Sequence, residues 1–116
     1  MEALKLYSDE AETAVVGTVL MYGADKLEEA LEIVDANDFY SPRLKAIFEA
    51  TCELYKRNSP IDLVTVVDYL KNTNSNVDSS YITEICNFGF EAHNLKYYAE
   101  QVKQYSLKRK LLETFD

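Results

Sequence analysis

Residues 94–115 read NLKYYAEQVKQYSLKRKLLETF, a run without glycine or proline and so without a helix breaker. Turned at 100° per residue, Leu95, Tyr98, Ala99, Val102 and Tyr105 gather on one face, while Leu107, Leu111 and Phe115 point about 150° away. The apolar face changes sides part-way along. A helix lying wholly on its own core would leave that second stripe in water. Either the helix breaks near Ser106, or its end leaves the body and packs against something else. The absence of a breaker favours the second, and an exposed apolar stripe reads as an interface. Its candidate residues are Leu107, Leu111 and Phe115, with the basic group Lys108, Arg109 and Lys110 among them.

Upstream, the same periodicity predicts five shorter helices. Ser8 is a candidate N-cap, Asp9, Glu10 and Glu12 suit a first turn, and Ala11, Ala14, Val15, Thr18 and Met21 form the apolar stripe of a helix ending at Gly23. A second helix, about 24–34, buries Leu27, Ala30, Leu31 and Val34 and shows Glu28 and Glu32 to solvent. The turn 35–40 leads to Ser41-Pro42, an N-cap followed by proline at the first helical position. The helix that follows, about 42–57, buries Leu44, Ile47, Phe48, Thr51 and either Leu54 or Tyr55, and Asn58-Ser59-Pro60 stops it. Asp62 caps a fourth helix on Leu63, Val66, Val67 and Leu70, whose spacing overrides the β-branched content. The polar stretch 72–80 is a loop. A fifth helix, about 80–88, turns Tyr81, Ile82, Ile85 and Cys86 inward, with Gly89 closing it.

The 116 residues make one domain, all-α: a compact orthogonal bundle of about five short helices and a longer C-terminal one. Ten of the twenty carboxylates fall within residues 1–40, against Lys5 and Lys26 alone, and this stretch accounts for the whole net charge of −8. Such a surface repels phosphate backbones, so direct DNA binding is expected to be weak or absent, and a basic protein partner fits better. Lys103, Lys108, Arg109 and Lys110 are the exception. They complement a helix C-terminus, or the acidic face of a neighbouring copy, or nucleic acid. No basic leader opens the chain and its longest nearly apolar run, 14–24, is too short to span a membrane, so a cytoplasmic protein is expected.

Catalytic chemistry finds little support. His93 is the sole histidine and stands at the entry to the last helix, where a surface or capping role is the plain reading. Cys52 and Cys86, 34 residues apart, lack the spacing of a metal clip or redox pair and read as buried thiols. The carboxylates of the first two helices read as solvated faces. Gly17, Gly23 and Gly89 are the only glycines, too few and wrongly spaced for a P-loop. Nine tyrosines and five phenylalanines fall mostly at core spacing, without the interleaved basic residues of a base-stacking surface. No catalytic, metal or cofactor site is expected.

Four stretches carry a resemblance. Glu10-Ala11-Glu12-Thr13-Ala14-Val15-Val16-Gly17-Thr18-Val19-Leu20 opens the first helix. Asp38-Phe39-Tyr40-Ser41-Pro42 with Ile47-Phe48-Glu49-Ala50 comes next, then Pro60-Ile61-Asp62-Leu63-Val64-Thr65, then Asn94-Leu95-Lys96-Tyr97-Tyr98-Ala99 through Lys110-Leu111. Together and in this order they resemble the N-terminal domain of the DnaB-type replicative DNA helicases of bacteria and their phages. Two departures stand out: Leu44 replaces a frequent histidine, and Asp78-Ser79-Ser80 replaces a Gly-Gly, which should alter that loop. The resemblance implies a segment of a hexameric ring ATPase that unwinds duplex DNA at replication forks. In that family the N-terminal domains pair through helical hairpins into a collar, which also binds primase and some helicase loaders. The last helix would begin such a hairpin. ATP and Mg would belong to a RecA-like motor that lies beyond Asp116 or does not exist. The expected partners are therefore further copies of the chain, as dimer or hexamer, and primase or a loader. The alternative is a free-standing phage or plasmid regulator of the same fold that captures a host helicase or primase.

Overall fold

Ser8 begins the first helix as its spacing predicts: its hydroxyl accepts from the Ala11 amide at 3.1 Å, and acidic residues fill the first turn. In the computed structural model, which describes residues 4–73, 75–91 and 93–114, this helix is α1, Asp9–Tyr22. Gly23 ends it at φ +84°, a conformation open to glycine and strained for other residues, and its amide donates to Val19 O. Unlike a surface helix, α1 is apolar nearly all round, and Ala11, Glu12 and 14–20 are all buried. It is the axis of the molecule, touched by α2 (Ala24–Leu31), α3 (Pro42–Lys56), α5 (Ser79–Glu91) and α6 (Leu95–Glu113), while α4 (Leu63–Asn72) packs on α3 and α5. A single 3₁₀ turn, Ala36–Asp38, links α2 to α3. Among the described residues there is no strand, and no helix is long and apolar enough to cross a membrane.

Most predicted ends and faces are found. Ser41 caps α3 with Pro42 at its start, Asp62 and Thr65 form a reciprocal capping box on α4, and Leu54 rather than Tyr55 is buried. Three features differ. First, α2 stops at Leu31, which is 39% exposed, and the chain turns on the Ala30 carbonyl so that Val34 enters the core from outside the helix. Second, Gly89 does not close α5 but sits inside it, because the backbones of α1 and α5 meet there. A Cβ on Gly17 would run into the Ile85 carbonyl and the Gly89 backbone, and one on Gly89 into Gly17. Neither glycine has a positive φ, so space, not conformation, selects them. Third, Tyr81 is half-buried under the Arg43 guanidinium, 3.7 Å from its ring centroid. Both cysteines are free, Cys86 buried and Cys52 half-buried, and burial raises both thiols above their ordinary range.

Candidate protein interface on the last helix

The last helix runs unbroken from Leu95 to Glu113. Its inner face is Leu95, Ala99, Val102 and Ser106, all buried at the i, i+4, i+7, i+11 spacing of one continuous stripe. Tyr98 and Tyr105, expected on that face, are half-buried at its margins. After Ser106 the helix parts from the core. Of residues 107–114 Arg109 alone is half-buried and the others are exposed, including Leu107 at 52%, Leu111 at 60% and Leu112 at 39%. Leu107 and Leu111 lie one turn apart on an apolar strip, and Leu112 stands about 100° further round the helix, beyond Lys108. Phe115 lies outside the described residues.

The basic residues divide. Lys108 is exposed, its Nζ 5.0 Å from the Tyr105 ring centroid. Arg109 is committed to its own chain: Nη1 donates to the Leu6 carbonyl and Nη2 to the Asp38 carbonyl, each at 2.7 Å. Lys110 stays exposed with Nζ 3.8 Å from Asp38, and Lys103 donates to the same carboxylate at 3.4 Å.

Two acids make this corner, and sequence reasoning missed both. Glu12, read as part of a solvated face, is 1% exposed. Its carboxylate accepts from the amides of Tyr40 and Ser41 at 2.9 and 3.0 Å, closing the entry to α3. Burial pushes its pKa up, and those two amides and the Arg109 charge only partly offset the rise. Asp38 is fully buried, accepting from the Asp35 amide at 2.9 Å and from the Ser106 hydroxyl at 2.7 Å. Burial would raise Asp38 too, but the Ser106 hydroxyl, the Asp35 amide and Lys103 outweigh it and hold the carboxyl below its usual range. One signal was available. Ser106 falls in phase with Leu95, Ala99 and Val102, and a hydroxyl at a core position demands a buried partner.

None of this is a catalytic arrangement. The acids are saturated with structural donors, and among the described residues no group of three or more His, Cys, Asp or Glu could hold a metal ion. His93 is exposed, as its position suggested.

Residues 4–104 match the family described as DnaB-like helicase N terminal domain. The replicative DNA helicase DnaC of Bacillus subtilis is 37% identical over 108 residues, covering 90% of this chain and 24% of that protein. The replicative DNA helicase DnaB of Geobacillus stearothermophilus is 35% identical over 116 residues, covering 97% of this chain and 25% of that protein. The chain thus spans about a quarter of the length of these relatives. Among solved structures, the N-terminal domain of DnaB helicase from Mycobacterium tuberculosis superposes with a TM-score of 0.87 at 29% identity, over 95% of this chain and 78% of that one. The Helicobacter pylori N-terminal domain, described together with its interactions with primase, has a TM-score of 0.80 at 24% identity, over 90% of this chain and 83% of that one, a likeness of fold. With the family match covering most of the chain, the protein belongs to the DnaB-like helicase N-terminal domain family.

Proposed function

We propose that this chain is the self-association and partner-docking domain of a hexameric replicative DNA helicase, and that it works by presenting the end of α6 to another polypeptide. The observation that carries the reading is the exposure of Leu107, Leu111 and Leu112 on turns of α6 that lack core contact. A solvated helix end has no use for three leucines, and an interface does. Primase docking belongs to the same reading, supported by the shared fold with the Helicobacter pylori domain. A helicase loader is a further partner of this kind. ATP hydrolysis and Mg binding fall to a motor region, since these 116 residues hold no P-loop. DNA is met by other parts of the assembly.

The test is sedimentation and light scattering of the chain over a concentration series, beside the double variant Leu107→Asp, Leu111→Asp. The exposed parts of the three leucines amount to about one and a half buried side chains, roughly 2–5 kcal/mol per copy. Set against an association cost of at least about 4 kcal/mol, this predicts weak self-association that the two aspartates weaken at least about tenfold. Helicity and thermal midpoint should change little, because the sites are exposed. Association that persists undiminished in the double variant, or a collapse of helicity, refutes the reading.

A further inference from the structure

The segment Leu4–Tyr7 is not helical, yet it is tied down at its middle. Arg109, 103 positions away, donates one arm of its fork to the Leu6 carbonyl and the other to the Asp38 carbonyl. Its guanidinium also lies 5.4 Å from the centroid of the Tyr40 ring, and Tyr7 stacks on the same ring, with centroids 4.2 Å apart and planes within 9°. The Asp38 side chain receives Ser106 from one turn earlier on α6. The segment before α1 and the later turns of α6 therefore meet beside the 3₁₀ turn, through these hydrogen bonds and the tyrosine stack.

The consequence concerns α6. Beyond Ser106 no apolar residue of the helix enters the core, so its last two turns are held by the helix's own backbone bonds and by polar side chains rather than by apolar packing. The planar fork of Arg109 ties these turns to the strap, because both bonds form only when the guanidinium plane, the Leu6 carbonyl and the Asp38 carbonyl are aligned. Beside this cluster lies an open groove of roughly 670 Å³ lined by Leu4, Tyr7, Tyr40 and Arg109, among others. Leu4 is 70% exposed there, so the segment can lift away without opening the core.

We propose that Arg109 and Asp38 form a latch between the N-terminal strap Leu4–Tyr7 and the end of α6, so that a docked strap holds the helix end in one direction and a released strap frees it. The inference rests on the reading of Leu107 and Leu111 as an interface only for its biological use: the latch sets the angle at which that stripe is offered. The latch itself is tested on the monomer. At 13.3 kDa the whole chain suits backbone order parameters by NMR, measured at a concentration where light scattering shows no association. In the parent chain residues 5–7 and 107–113 should be ordered like the helices. In Arg109→Gln both stretches should fall below an order parameter of about 0.6, while α1 stays near 0.85. A strap that stays ordered in this variant overturns the latch, as does a strap that loosens while 107–113 stay rigid. Tyr7→Leu guards against a variant that unfolds, since it removes only the stack on Tyr40 and leaves both backbone acceptors of Arg109. It should loosen the strap and, through it, 107–113, and an unaffected helix end overturns the coupling. The leucine-to-aspartate pair removes no bond of the latch and should leave residues 5–7 ordered, so failure of the interface and failure of the latch are read separately.

Discussion

Replacing Gly17 with alanine should destabilise the domain, against the ordinary rule for a helix interior. In an exposed helix the change gains about 1 kcal/mol, because alanine is the better helix former and restricts the unfolded chain. Here the added methyl meets the Ile85 carbonyl and the Gly89 backbone, and no flexible side chain can swing aside. Relief requires α5 to move off α1, and that separation loosens Ile82, Ile85 and Cys86 from the core. Overpacking of a tight core costs about 1–3 kcal/mol, with backbone collisions at or beyond the upper end. After the propensity gain the expected net loss is about 2 kcal/mol, a fall in midpoint of roughly 5–10 °C for a chain of this length. Urea unfolding followed by circular dichroism is the assay, with Gln104→Ala, an exposed α6 site, as the neutral control. A Gly17→Ala protein as stable as its parent would mean that the two helices do not touch at this point, and the account of Gly17 and Gly89 would fall.

Three further outcomes follow from the buried acids and the basic residues. Asp38→Asn should cost about 2–4 kcal/mol at neutral pH, because the Ser106 hydroxyl and the lysines lose a buried anion. The sign with pH is fixed by the lowered carboxyl. Its contribution is present above the unfolded value near 3.8 and is lost as pH falls through the folded value, so parent and variant should converge in acid, and a gap that stays constant below pH 3.8 would refute the assignment. Glu12 acts in the opposite sense, favouring the fold most below 4.5 and progressively less as pH rises through its elevated folded value. Single-stranded DNA should bind weakly and with a shallow salt dependence, since Arg109 is spent on Leu6 and Asp38 while Lys103 and Lys110 face a buried carboxylate. Lys108, the one member of this basic group that faces no carbonyl or carboxylate, predicts a slope near −0.7 in log K against log salt, and a slope near −3 in a fluorescence titration would show that the whole group serves phosphate.

The helices were legible because their signals are local. Ser8, Ser41-Pro42 and Asp62 announce starts by chemistry within four residues, and apolar spacing names the buried face of α3 and much of that of α4. The outward turn of α6 was legible for the same reason, since Leu107 and Leu111 break phase with Leu95 and Val102 on a helix that nothing interrupts. Gly89 misled because a glycine near a helix end has two explanations. A C-cap is the commoner one, and only the partner glycine on another helix, 72 positions earlier, selects close approach instead.

Glu12, Asp38 and Arg109 were illegible for a deeper reason. A charged residue in a first turn or in a turn between helices is solvated in most proteins, and its sequence neighbours say the same whether or not it is buried. What decides is the hydrogen-bond partner supplied from elsewhere: the donating amides at 40 and 41 for Glu12, the donating hydroxyl of Ser106 for Asp38, the accepting carbonyls of Leu6 and Asp38 for Arg109. Each partner lies 28 or more positions away, apart from the Asp35 amide that bonds Asp38 locally. A core built from apolar side chains tolerates small shifts, but buried acids leave amides and hydroxyls unsatisfied if the register slips. These three residues therefore tie α1, the 3₁₀ turn and α6 together at one point, the last before α6 leaves the body. The part of α6 that carries the leucines is thus anchored to the body by polar groups, although the leucines themselves are apolar.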